Sequence, residues 1–389
     1  MPPGPYPYPI IGNILELSHK PYESLFHLSK KYGPIMTLKF GSLTSIVISS
    51  PEIAKEALTK HDLAFSNRQV LDITRALDHH KVSMVWSPVC DHWRTLRKLC
   101  SSHIFSPQKL ESTSELRHNK VQELVNFVET WCTKGEKEAI DIDFKEIIEG
   151  ILDDAGKINL VDVFPILGFL DPQCLRGRCE DSFKRLLEIF DDIFDKRIRM
   201  KASSDKSFER TTTCCDDVLD SFLDLLKENK SQELNRHCLL HLFLDLFIAG
   251  LETTTSTVEW AMAELMHNPN KMKKAKEELL QILGRDVNPK ESDIPKLHYL
   301  EAIIKETLRL HSPIPILFHK SKFDVEINGF KVPKHAEVLV NLWAIGRDSS
   351  IWKIVDDKKS QELDMSEEDG LTVRRAQPLL LIPIQTNKY

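Results

Sequence analysis

The chain has 389 residues, 41% hydrophobic and 28% charged, which is a globular balance, and its 14 glycines exclude a collagen-like or glycine-rich repeat. A net charge of −6 offers no positive field to hold nucleic acid. The length exceeds one small core; no clean linker divides it, so a single domain over 1–389 is expected.

The opening Met1-Pro-Pro-Gly-Pro-Tyr-Pro-Tyr-Pro9 cannot make a helix or a central strand and reads as a stiff, extended lead-in over 1–13. A helix is expected over Tyr22–Tyr32, with apolar Leu25, Phe26 and Leu28. Pro34–Phe40 and Thr44–Ile48 are β-rich runs flanking Gly41-Ser42, a hairpin signal. Ser50-Pro51-Glu52 opens a helix through Thr59, and after Trp93 the pattern is almost wholly helical to Leu310. Breaks fall at Pro107, Pro165, the polar stretch 203–213, Pro269 and Pro289. From Lys322 the period changes: Phe323–Pro333 alternates around Asn328-Gly329, a tight-turn signal, and Ala336–Leu342 is a further strand. The fold class is therefore mostly α with small β portions near both ends.

The 8 cysteines are scattered and include no Cys-x-x-Cys pair, so a reduced chain without a structural zinc site is expected. The most apolar run, Cys238–Gly250, is interrupted by His241 and Asp245 and falls short of the roughly 20 apolar residues of a membrane span. A soluble or peripheral chain is expected from that.

Three segments carry candidate chemistry. Glu233–His267 reads as one helix of about 35 residues, and in its middle sits Ala249-Gly-Leu-Glu-Thr-Thr-Thr-Ser256. Glycine and consecutive threonines are poor helix formers, and a broken local rule inside a strong helix marks many functional sites. The small residues Ala249 and Gly250 would let a flat ligand approach the backbone, and Glu252 with Thr253 would set an acid beside a hydroxyl. The bland alternative is a threonine cluster bonded back to the preceding turn. Glu306 and Arg309 are three apart on a helix, so their side chains meet; such pairs are usually solvated surface contacts. Trp93 and Arg97 lie four apart and could present an indole N–H and a guanidinium to an anion, or simply form the basic edge of an amphipathic helix.

Taken together and in this order, the three segments resemble the cytochrome P-450 family of haem-thiolate monooxygenases, and most closely its plant microsomal, geraniol 8-hydroxylase-like members. The proline lead-in resembles the hinge after that family's membrane anchor. Trp93–Arg97 resembles the helix that holds the haem propionates, Ala249–Thr254 the oxygen-activating motif, and Glu306-Thr-Leu-Arg309 the Glu-x-x-Arg motif. Phe65-Ser-Asn-Arg68, Arg75–His80, Asp154-Ala-Gly156, Gly346-Arg-Asp348 and Ile351-Trp352 extend the likeness over most of the chain. The resemblance implies a P-450-like fold, a haem cofactor and electrons from NADPH through a flavoprotein reductase. It also implies insertion of one oxygen atom into a small apolar, terpenoid-like substrate, at the endoplasmic reticulum membrane. By resemblance His319 joins Trp93 and Arg97 at the propionates, Glu252 and Thr253 relay protons, and Val85, Ala249, Leu251 and Ile316 contact substrate.

One requirement of that family is not met. Its haem iron needs a cysteine thiolate from a Phe-x-x-Gly-x-x-x-Cys-x-Gly loop, yet no cysteine here has glycine two positions later and none lies beyond Cys238. Where the loop should fall, Ile351–Val355 runs into Asp356–Asp364, and the stretch from Leu363 to Pro383 resembles the family's extreme C-terminus. Internal deletions are thus expected near 355–364 and near 142–144, and loss of the family's anchor ahead of the lead-in is expected as well. His311 and His319 do not occupy the loop position and are not expected to replace the ligand. The chain as written is expected to be inactive, and the alternative to an enzyme is a non-catalytic binder of small apolar molecules. Glu306 and Arg309 should then pair without their usual third partner, with Arg374 and Arg375 the only candidates beyond Trp352.

Overall fold

The computed structural model describes residues 1–134, 142–204, 217–228, 234–284, 289–352, 364–368, 371–376 and 379. Its α-helices in chain order are α1 (Pro21–Tyr32), α2 (Pro51–Lys55), α3 (His79–Val82), α4 (Asp91–His103), α5 (Pro107–Ser112), α6 (Ser114–Lys134) and α7 (Ile142–Gly156). They continue as α8 (Leu160–Val163), α9 (Leu175–Ser204), α10 (Val218–Glu228), α11 (Arg236–His267), α12 (Pro269–Leu283), α13 (His298–Leu310) and α14 (Leu342–Gly346). The strands are β1 (Ile35–Phe40), β2 (Leu43–Ile48), β3 (Ile316–Lys320), β4 (Val325–Ile327), β5 (Phe330–Val332), β6 (Glu337–Asn341), β7 (Glu367–Glu368) and β8 (Arg374–Arg375).

Strands from the two β portions expected near opposite ends of the chain meet in one sheet, in the order β1-β2-β6-β3, while β4–β5 and β7–β8 each pair as separate two-stranded sheets. β1 and β2 are the antiparallel hairpin, Ile35 facing Ile48, and β6 joins β2 in parallel with Ile46 beside Val338. β3, which period alone did not mark as a strand, closes the other edge antiparallel to β6, with Phe318 beside Leu339. Successive side chains alternate between two cores. Ile35, Ile46, Ile48, Val338 and Val340 face α2 and the β4–β5 hairpin, while Met36, Leu38, Val47 and Leu339 face α1 and Trp260 of α11. Both faces being covered explains why these strands read as nearly continuous apolar runs. The β4–β5 turn falls at Asn328-Gly329, both left-handed (φ 47° and 76°), as the tight turn requires.

The lead-in is more than a spacer. Thr37 N–H donates to the Pro3 carbonyl at 2.7 Å, and Lys39 N–H to Asn13 Oδ1 at 2.9 Å, so the proline-rich segment lies along β1. A Cβ at Gly4 would collide with the Thr37 carbonyl, which is why glycine fits there.

α11 is 32 residues long, capped by Asn235, whose Oδ1 accepts the Cys238 N–H at 2.9 Å. Length and composition alone would let it cross a membrane, which corrects the expectation that no stretch is long and apolar enough. In this fold part of it lies in the core: Leu239, Leu242, Leu244, Trp260 and Ala263 are buried against helices and the sheet. α7, α9 and α11 share one helical core, and α4, α9, α10 and α11 another. α11 also packs directly on α13, which carries Glu306 and Arg309. The junction at 142–144 opens α7; residues 353–363, which carry the other expected deletion, lie outside the described residues.

Candidate functional site at the central helix

The threonine run in α11 is tolerated by back-bonding. Thr253 Oγ1 donates to the Ala249 carbonyl at 2.6 Å, and Thr255 and Thr257 donate to carbonyls one turn back at 3.0 and 2.7 Å. The bland reading of the cluster thus describes its geometry, and Thr253 does not face Glu252 as an acid–hydroxyl pair. Glu252 is buried and faces Arg374, whose Nε lies 3.7 Å from its carboxylate. Burial pushes the Glu252 carboxyl above its ordinary range, and Arg374 opposes that. Ala249 and Gly250 lie on the exposed side of α11, and a Cβ built on Gly250 meets open space.

The remaining expected residues are dispersed around the fold. Trp93 spends its indole N–H on the Met84 carbonyl at 3.0 Å, and Arg97 is exposed on α4. His319 Nδ1 lies 2.9 Å from the Phe65 carbonyl, which can only accept, so that nitrogen donates. Burial lowers the His319 pKa and favours the neutral ring. Leu251 packs into the α7–α9 core, and Val85 is exposed. Ile316 is buried on β3 and lines an apolar cavity of about 190 Å³. None of Ala249, Gly250, Glu252, Thr253, Trp93 or Arg97 lines that cavity, so the sequence-derived set is split between two places.

Glu306 and Arg309 pair through Nε–Oε2 at 2.7 Å and a second, shorter contact. Arg309 also donates to the Gly346 carbonyl and stacks 4.7 Å from the Trp352 ring. The Arg309 side chain is 12% exposed and Glu306 is 56% exposed, so the carboxylate end of the pair is the solvated one. The guanidinium holds the Glu306 carboxyl below its ordinary value. Among the described residues no second arginine joins the pair: Arg374 goes to Asp153, Glu252 and Glu368, and Arg375 to the Asp364 carbonyl and the Trp260 ring.

Two clusters escaped the sequence reading. Glu367 gathers Arg347 at 2.7 Å, the Trp343 indole at 3.0 Å, His311 Nδ1 at 3.4 Å and the Tyr22 hydroxyl at 3.4 Å. His311 in turn stacks on Trp260 at 3.8 Å and reaches Glu264 at 2.8 Å. The Val373 carbonyl accepts from Ser256 Oγ and Trp260 Nε1, so the C-terminal hairpin is strapped to α11. The second cluster is buried between α3 and α11: His79 Nε2 lies 3.2 Å from Asp245, and His79 Nδ1 lies 2.8 Å from His241 Nδ1. Asp245 also accepts the Ser83 hydroxyl at 2.8 Å and the Met84 N–H at 2.7 Å. Its signal was in the sequence, since His241 and Asp245 are one turn apart on one side of an apolar run.

The cysteines bear on whether haem fits. Cys100 and Cys179 are buried among apolar side chains of α4 and α9, which pushes their thiols up to about 11 and about 12. These are the opposite of activated thiolates. Cys90 caps α4, Cys174 is exposed on the approach to α9, and Cys238 is buried in the first turn of α11. Cys238 precedes Ala249 by eleven residues, about 16 Å along the helix. No described cysteine lies in the Ala249–Thr254 segment or C-terminal to Cys238, and the described residues do not fit a thiolate-held haem.

The comparisons with known proteins agree with the fold. The family model for cytochrome P450 matches residues 2–149 and 132–354. Cytochrome P450 76AD1 of Beta vulgaris is 44% identical over 92% of this chain and 76% of its own. Geraniol 8-hydroxylase of Catharanthus roseus is 41% identical over 96% of this chain and 79% of its own. Cytochrome P450 76T24 of Catharanthus roseus is 37% identical over 99% of this chain and 93% of its own. That last alignment runs over 472 positions against a chain of 389, so it crosses stretches the relative has and this chain lacks. The chain belongs to the cytochrome P450 family, on its plant, geraniol 8-hydroxylase-like side.

Proposed function

We propose that this chain derives from a haem-dependent monooxygenase of small apolar, terpenoid-like substrates and, as its residues stand, binds such molecules without oxygenating them. The observation that carries the reading is the distribution of cysteines: none lies beyond Cys238, so none follows the Glu306–Arg309 helix where the family's ligand loop falls. In this family the haem iron's thiolate ligand pushes electron density that favours O–O cleavage. By resemblance Trp93, Arg97 and His319 would be the cradle and Glu252 with Thr253 the proton path, but the Trp93 indole and the Thr253 hydroxyl are here spent on the Met84 and Ala249 carbonyls. In this reading 1–389 is one domain, and the family's setting is the endoplasmic reticulum membrane with a reductase partner.

An active monooxygenase is the second reading, favoured by the likeness to geraniol 8-hydroxylase over 96% of the chain. Incubation with haem, a flavoprotein reductase, NADPH and geraniol separates the two. The proposal expects geraniol to quench tryptophan fluorescence saturably with no oxygenated product. NADPH-dependent hydroxygeraniol would establish the second reading instead.

A further inference from the structure

The cavity that Ile316 lines lies between α1, the β1–β2 hairpin, α8 and β3, and its walls include Leu17, Phe40, Leu43, Val163 and Leu339. It does not touch the α11 motif. Asn159 lines it too, at the N-terminus of α8. Its Oδ1 caps the helix by accepting the Val161 N–H at 2.8 Å. Its Nδ2 has no hydrogen-bond partner among the described residues, although Asn159 is only 4% exposed. A buried amide donor left unmatched is costly, and the native arrangement is complete when something in the cavity accepts from it.

We propose that this cavity is a binding site for a small, mostly apolar molecule carrying one hydrogen-bond-accepting oxygen, which the Asn159 amide reads. This rests on the proposed function, that the chain binds small apolar molecules, and it adds the place and the polar group recognised. The size is suitable: a dry cavity of about 150 Å³ takes benzene, so about 190 Å³ takes a somewhat larger ring compound. The apolar walls supply affinity and the amide supplies orientation, the usual division in small-molecule sites. A ketone or ether oxygen suffices, because Nδ2 only donates.

The probes are menthone and its parent hydrocarbon p-menthane, with dissociation constants measured by headspace partitioning. Asn159→Asp keeps the carboxyl oxygen that caps α8 and removes the amide donor; Leu17→Trp fills the cavity from the half-buried α1 side. The expected result is that Asn159→Asp lowers the menthone-to-p-menthane affinity ratio about fivefold, the worth of one net hydrogen bond, and that Leu17→Trp weakens both probes. If both probes bind and neither variant changes them, the assignment of this cavity is wrong while the binding function stands. If the ratio is unchanged in Asn159→Asp but Leu17→Trp weakens both, the role of Asn159 is wrong. If neither probe binds the unaltered protein, both the binding reading and this site fall together.

Discussion

Asp162 and His241 are buried against their charged forms, and their titrations act on stability in opposite directions. Burial raises the Asp162 carboxyl to about 6, so its folded form holds a proton that the unfolded chain releases. Its contribution is fully present below the ordinary carboxylate value and is lost as pH rises through about 6. Burial lowers His241 to about 3 from 6.5, with nearby His79 and His237 adding to the shift. That stability is present above pH 6.5 and is lost as pH falls toward 3. Asp162→Asn isolates the two, since an amide oxygen still accepts the Asp72 N–H that Asp162 Oδ1 holds at 2.7 Å. The variant is expected to be more stable than the unaltered chain by about 1 kcal/mol at pH 8, after allowing for solvent screening, and by less at pH 5. Urea midpoints at the two pH values check this; a difference that does not change with pH contradicts the assignment. At this scale the sequence showed residue types well and partners poorly. Glu306–Arg309 was legible because a helix fixes its three-residue spacing. The Glu367 cluster was not, because its partners come from positions up to 345 residues away along the chain.

Among the elements, α11 and the C-terminal hairpin depend on each other. Trp260 is fully buried, donates to the Val373 carbonyl and stacks on His311, whose other nitrogen faces Glu367. Glu367 also balances Arg347, a cation whose pKa burial lowers and Glu367 raises. Glu367→Ala leaves that cation half-buried without its carboxylate, at a cost of about 3 kcal/mol. A lowered melting temperature, with faster proteolytic cutting near β7–β8, is the expected outcome; an unchanged melting curve would show that the cluster adds nothing. The β1–β2 and β4–β5 hairpins, and the length of α11, were legible because period and turn residues are local signals. The parallel pairing of β2 with β6 was not, because no local pattern reports a contact between strands 292 residues apart.

Across the whole molecule, several apolar helix faces stand open. On α6, Val121, Leu124, Val125 and Val128 recur at helical spacing and are exposed by 59%, 61%, 42% and 37%. On α11, Phe247 and Val258 are exposed, on the side where Gly250 meets open space. Contiguous apolar surface of this kind promotes association. The purified chain is therefore expected to bind an apolar dye and to self-associate, and Val121→Lys with Leu124→Lys should raise the monomer fraction in sedimentation velocity. A monomer indifferent to both substitutions would show that these faces are harmless. The family was legible from three motifs in order, whereas the partners of Trp93, His319 and Glu252 depended on how the rest of the chain packs around them.

The central claim is that this cytochrome P450 chain does not hold haem through a thiolate. The most direct measurement is the absorbance of the purified 389-residue protein, supplied with haem, after reduction under carbon monoxide. The account predicts no band of the thiolate–carbonyl type. Appearance of that band, and its loss in Cys238→Ser, would contradict the claim and identify the first turn of α11 as the source of the ligand.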